Sequence, residues 1–364
     1  MFGSQKEYEL YSGLLLKSTF DEINNSMIST INDETSVNSK SSLLNVSNSN
    51  NEILNQYFQI DNKNINNPIN QIKKDLNFEE KFLKNLFLKG QLIVSKIEVI
   101  IPKLKGRFLN LMNGKKSNYL MSELIKNASK KQKLIILREI YNQIDNLAIN
   151  EYGSHPLQTL IEKASSKDEI TMIVNAISSK NKLIKIAKNN IGTYVIQKII
   201  SYFNENYRTK INKIIFKHFV DLCYNMNGVF VIKKFINNCE NEQILLSLLS
   251  LFIKNYLNIS ENQFGNFAIQ VFIDKISKKE KYFSILQQTI TFNFIRLSIN
   301  KFGSRVIECF IDKINNRNKL QLFHYLLESG YHNQIISNKY GKYVIYKLLN
   351  QYEGINNTNM IDCF

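Results

Sequence analysis

Two amides, Asn266 and Gln270, stand four residues apart in the stretch NQFGNFAIQVFI (262–273), with the ring of Phe267 beside the first of them. On a helix four residues make about one turn, so the amides share a face and the ring lies about 100 degrees round from Asn266. Amides both donate and accept hydrogen bonds, and a flat ring stacks; together they suit a planar heterocycle with a mixed polar edge. The spacing predicts a helix that carries this trio to an exposed face.

The trio recurs. Six segments align without gaps: NEYGSHPLQTLI from Asn150, NNIGTYVIQKII from Asn189, NMNGVFVIKKFI from Asn225, NQFGNFAIQVFI from Asn262, NKFGSRVIECFI from Asn300 and NKYGKYVIYKLL from Asn338. A weaker copy, NGKKSNYLMSEL from Asn113, has Lys116 where the others have Gly. Successive starts are 37, 39, 36, 37, 38 and 38 residues apart. An Asn closes an Asx turn and a Gly tolerates conformations other residues resist, so the pair marks the entry to a helix. Apolar doublets such as Val195–Ile196 and Val306–Ile307 follow, and apolar residues return three to four positions on, which defines a buried face. The 25 or so residues between copies leave room for two more helices each. Units of that size bury their apolar faces only by stacking, so the fold class is all-α, an α-solenoid of three-helix repeats.

Counted from the Gly, the first, second and fifth residues form the candidate surface. They are Ser154, His155 and Gln158; Thr193, Tyr194 and Gln197; Val229, Phe230 and Lys233; Asn266, Phe267 and Gln270; Ser304, Arg305 and Glu308; Lys342, Tyr343 and Tyr346. The weak copy gives Ser117, Asn118 and Met121. Every second-position residue of the six good copies is a flat group able to stack on a nucleobase, and the first and fifth positions are mostly able to bond its edge.

Bulk properties agree with a polyanionic partner. The formal charge is +16, and residues 1–75 hold six Lys/Arg against nine Asp/Glu, so the other 289 residues carry 41 against 22. Residues 1–75 are rich in Asn and Ser with scattered apolar residues, and are expected to be a poorly ordered segment ahead of one elongated repeat domain, 76–364. The four cysteines are widely spaced, which points away from a disulfide framework and toward a reducing compartment. The N-terminus lacks the order of a secretory signal, and the most apolar run, from Ile244, stops at Lys254, short of the roughly 20 residues that span a bilayer. The histidines (155, 218, 324 and 332) form no H-E-x-x-H, and no P-loop or G-x-S-x-G occurs. A binding protein is expected, not an enzyme, with no cofactor or metal.

At these trios the chain resembles the Pumilio (PUF) family, over Asn113 to Leu349. The resemblance implies a right-handed crescent of about eight three-helix repeats whose concave face binds single-stranded RNA, one base per repeat, with N-terminal repeats toward the RNA 3′ end. It implies a uracil reader in Asn266 with Gln270, a guanine reader in Ser304 with Glu308 and an adenine-type pair in Ser154 with Gln158, while Thr193 with Gln197 suits adenine or uracil. His155, Tyr194, Phe230, Phe267, Arg305 and Tyr343 would stack. Lys342 with Tyr346, Val229 with Lys233 and Ser117 with Met121 depart from the family's pairs. An eighth repeat is expected near residues 76–100. The expected role is a cytoplasmic, monomeric regulator of messenger RNA through 3′ untranslated regions, with protein effectors on the convex face and no membrane association. The alternatives are a nucleolar ribosome-assembly factor of weak base preference and a protein-binding scaffold.

Overall fold

The computed structural model describes residues 94–356, with side chains described for 97–351. Residues 1–75, expected to be poorly ordered, and most of the stretch near 76–100 where an eighth repeat is expected, lie outside the described residues. Within them there are helices and no strands.

The helices fall into seven consecutive modules. Three helices make the first: α1 (Val94–Lys103), α2 (Phe108–Asn113) and α3 (Ser117–Asn127). Then come α4 (Lys130–Ile140), α5 (Ile144–Ile149) and α6 (Ser154–Lys163); α7 (Lys167–Ile177), α8 (Lys180–Lys188) and α9 (Gly192–Tyr202); and α10 (Thr209–Lys217), α11 (Phe219–Cys223) and α12 (Gly228–Asn237). In the fifth module the first two helices run together as α13 (Glu242–Ser260), interrupted at Asn255 by non-helical backbone, before α14 (Gly265–Ile276). The last two are α15 (Glu280–Phe292), α16 (Phe294–Ser298) and α17 (Gly303–Lys313), then α18 (Asn316–Glu328), α19 (Tyr331–Ile336) and α20 (Gly341–Asn356). Of the stretch near 76–100 where an eighth repeat is expected, residues 94–100 lie in α1.

The third helices pack in unbroken succession, α3 on α6, α6 on α9, α9 on α12, α12 on α14, α14 on α17 and α17 on α20. They form one continuous layer of a solenoid. Its core is built from the doublets seen in the sequence: Val195, Ile196, Ile199 and Ile200 are at most 1% exposed, as are Val306, Ile307, Phe310 and Ile311. Phe219 of the fourth module and Phe252 and Phe272 of the fifth form a run of rings, Phe252 lying edge-on to the first and stacked on the last.

Six of the seven entry turns repeat one device. The Asn262 side-chain oxygen accepts the backbone N–H groups of Phe264 and Gly265, both at 2.9 Å. Asn150, Asn189, Asn225, Asn300 and Asn338 do the same for their own turns. The glycine has a different role from the one expected. Positive φ occurs among the glycines only at Gly106 and Gly330 within the described residues, neither of them in an entry turn. What Gly265 supplies is space, since a Cβ there would lie 2.7 Å from the carbonyl oxygen of Ile259, six residues earlier. The third helix can thus start hard against the end of the second.

Candidate nucleic-acid interface

Because every third helix starts from the same turn, equivalent side chains stand at the same height along the layer. The second-position groups are its outermost members. Tyr194, Phe230, Phe267 and Tyr343 are 48–58% exposed, and His155 and Arg305 are exposed as well. Large rings on a water-facing surface lose apolar burial, so a row of them at a fixed repeat marks a surface that something else covers.

The first-position residues lie elsewhere than the sequence reading put them. Ser154, Thr193, Val229, Asn266 and Ser304 are 1–3% exposed, and Lys342 alone of the six good copies is half-buried. Their place in the first helical turn, directly after the close approach at glycine, brings the neighbouring module over them. The Thr193 hydroxyl donates across that boundary to the carbonyl of Asn227. Two of them, Asn266 and Thr193, instead bond the fifth position. Gln270 donates through Nε2 to Asn266 Oδ1 at 3.0 Å, while Asn266 Nδ2 donates to the carbonyls of Asn262 and Gln263. Gln197 donates likewise to Thr193 Oγ1 at 3.3 Å.

The fifth-position groups Gln158, Gln197, Lys233, Gln270 and Glu308 are half-buried, and Tyr346 is exposed. They flank the stacking groups and offer distinct chemistry: amides with both donor and acceptor, an acceptor-only carboxylate, a donor-only ammonium. Glu308 makes a long 3.6 Å ion pair with the exposed guanidinium of Arg305 on its own helix. Beside Tyr194, Gln158 and Gln197 line a cavity of about 410 Å³ that extends to Lys198, Ser201 and Tyr202. The last module presents two rings, Tyr343 and Tyr346, with the Lys342 ammonium 5.2 Å from the centre of the first.

The weak copy is read one residue out of register. Ser117, not Lys116, occupies the glycine's place: it lies six residues after Leu111 and its hydroxyl donates to the Leu111 carbonyl at 2.7 Å, where the other modules leave room by having no side chain. The N–H of Asn118 bonds the carbonyl of Gly114 as that of Ser154 bonds Asn150. Met121 is fully buried, so it belongs to the core doublet Leu120–Met121, whereas Tyr119 is 67% exposed. The trio of this module is therefore Asn118, Tyr119 and Ser122. Anchoring on Asn113 misplaced it; aligning Leu120–Met121 and Leu124–Ile125 with Val195–Ile196 and Ile199–Ile200 finds it.

Lysines of the layer are partly paired between modules. Lys198 meets Glu162, Lys347 meets Asp312 and Lys313 meets Asp274. No helix of the described residues is long and apolar enough to cross a membrane.

A family model described as "Pumilio-family RNA binding repeat" matches residues 143–178, 182–211, 218–246, 255–287 and 293–327, which take in α6, α9, α12, α14 and α17. Among curated proteins, Pumilio homolog 12 of Arabidopsis thaliana is 25% identical over 285 residues, 78% of this chain and 47% of its own length. Suppressor protein MPT5 of Saccharomyces cerevisiae is 25% identical over 158 residues, 42% of this chain and 18% of its own length. The chain thus spans less than half of either relative. Among solved structures, the Puf4 RNA-binding domain bound to the HO endonuclease RNA 3′ UTR recognition sequence superposes with a TM-score of 0.69 at 22% identity, covering 78% of this chain and 87% of that one. The RNA-binding domain of yeast Puf5p bound to SMX2 RNA gives 0.65 at 24% identity, covering 76% and 82%.

Proposed function

We propose, because the chain belongs to the Pumilio family of RNA-binding repeats, that its third-helix layer binds single-stranded RNA, one base per module, and regulates messenger RNA in the cytoplasm through 3′ untranslated regions. The observation that carries this reading is the row of exposed flat groups, each flanked by a half-buried polar fifth-position side chain, on consecutive helices. Bases stack between the flat groups of neighbouring modules, and the fifth-position side chains meet their edges.

The chemistry assigns preferences. Glu308 accepts only, and guanine offers N1–H and N2–H together, so this module selects guanine. In the preceding module Gln270 has one N–H committed to Asn266, which leaves a carbonyl and a second N–H for the N3–H and a flanking carbonyl of uracil. Gln197 and Gln158 extend the reading to adenine or uracil and to adenine. Asn266 and Thr193 act by setting the angle of the amide that touches the base.

Selection from a random RNA pool tests the reading, and a recovered motif containing adjacent G and U is the expected outcome. Enrichment without a motif would favour a ribosome-assembly role with weak base preference, and no enrichment a protein-binding scaffold. The double variant Ser304→Asn with Glu308→Gln is expected to turn the G preference into U; retention of G would overturn the assignment of this module.

A further inference from the structure

The fourth module breaks the row's chemistry. Val229 at its first position offers no hydrogen bond and is 3% exposed, and the fifth position is Lys233. Its ammonium lies 5.6 Å from the centre of the Phe230 ring and 5.7 Å from that of Phe267, on the next module. A cation between two ring faces is held by both quadrupoles, with an attraction that strengthens as water is excluded. Lys233 therefore occupies the very space between neighbouring rings into which a base would stack.

An ammonium carries three donors on a free rotor and no acceptor. Every nucleobase presents acceptors along its edges: adenine N1 and N7, guanine O6 and N7, cytosine O2 and N3, uracil O2 and O4. A donor-only group can satisfy each of them and leaves no acceptor to reward one base's N–H over another's. Glu308 and Gln270 carry acceptors and so do discriminate. The long stem of Lys233 lets its head withdraw as a base enters while staying close to the rings.

We propose that the module headed by Gly228 is a degenerate position inside the recognised RNA, accepting all four bases through two aromatic faces and the Lys233 ammonium. The recognised sequence is then split, with a guanine–uracil pair on one side and the Gln197 and Gln158 positions on the other. This inference rests on the RNA-binding reading above.

The test uses the full chain and the RNA recovered by selection, its register fixed by the base that the Ser304→Asn/Glu308→Gln variant switches. The nucleotide facing the Gly228 module lies two positions from that guanine. Four oligonucleotides differing only there are expected to bind within about threefold of one another, while changes at the guanine itself spread affinity at least tenfold. The variant Val229→Asn with Lys233→Gln copies the Asn266/Gln270 pair and is expected to create a uracil preference of at least tenfold. If that variant does not fold, Lys233→Gln alone serves, with an expected spread of at least fivefold. Tenfold discrimination by the unaltered protein at this nucleotide, or a variant profile as flat as the parent's, overturns the proposal alone. Failure to bind any of the oligonucleotides, or the parent sequence, overturns the functional reading and takes this inference with it.

Discussion

At the scale of single residues, neighbours in sequence carry opposite duties, and mutagenesis can separate them. Tyr119 is 67% exposed and Met121 is fully buried two residues on. Tyr119→Ala is expected to leave thermal stability nearly unchanged and to weaken RNA binding by about 1–3 kcal/mol, the worth of one stacking platform. Met121→Ala is expected to cost about 2–5 kcal/mol of folding stability by leaving a cavity, with no change in base preference. Anisotropy titrations and thermal melts on both variants check the pair, and the reverse pattern would restore the register anchored on Asn113. The second-position groups were legible in the sequence because exposure at a fixed offset from a marker needs no knowledge of the neighbours. Burial of Asn266 and Thr193 was not legible, since it depends on the next module's loop, as the Thr193 bond to Asn227 shows.

At the scale of the element, the entry turn and the clamp between modules set where each helix lies. Asn262→Ala removes the acceptor of two backbone N–H groups and is expected to cost about 1 kcal/mol, comparable to losing a helix cap. Gly265→Ala is expected to cost about 1–3 kcal/mol by overpacking against the Ile259 carbonyl. Urea melts report both. Between the second and third modules, Lys133 of α4 and Glu169 of α7 form a buried ion pair at 3.1 Å. Burial pushes the Glu169 carboxyl up, but the Ser165 and Ser166 N–H groups, the Ser166 hydroxyl and Lys133 together hold it below its ordinary value. A depressed folded-state pKa stabilises the fold above the unfolded carboxylate value, near 4.3, and that stabilisation is lost as pH falls through the folded value. Glu169→Gln is therefore expected to lower stability by about 3 kcal/mol at pH 7, since Lys133 stays buried without its counter-charge, and the gap to the parent should begin to narrow as pH falls past the unfolded value and go on narrowing through the folded one. A constant gap between pH 7 and 3 would mean that packing, not charge, sets the cost. The sequence marked six of the seven turns, because an Asn and a Gly three apart survive as letters. It was silent on the seventh, where a serine hydroxyl takes the glycine's place, and on the merging of two helices into α13 across Asn255.

At the scale of the whole molecule, charge decides how much of the affinity is specific. Outside the first 75 residues 41 basic groups face 22 acidic ones, yet part of that excess never meets a ligand. Lys198, Lys313 and Lys347 are paired with acids of the preceding module, which spends their charge on holding modules together. On the third-helix layer Lys233, Lys234, Arg305 and Lys342 stand near the row of flat groups, and Lys233 and Lys342 already lie over rings. If about four cations outside these base-facing positions meet the phosphates of a single strand, log K is expected to fall with log salt with a slope of about −3, at roughly −0.7 per contact. The net charge alone would suggest a far steeper fall. Titrations of the selected RNA and of a scrambled RNA between 50 and 400 mM salt check this. Stacking and edge contacts should keep the selected RNA ahead of the scrambled one at every salt concentration, because neither contact releases counterions. A slope steeper than about −6 with the two RNAs converging at high salt would instead describe a polyelectrolyte surface, on which the rings and amides of the layer contribute little.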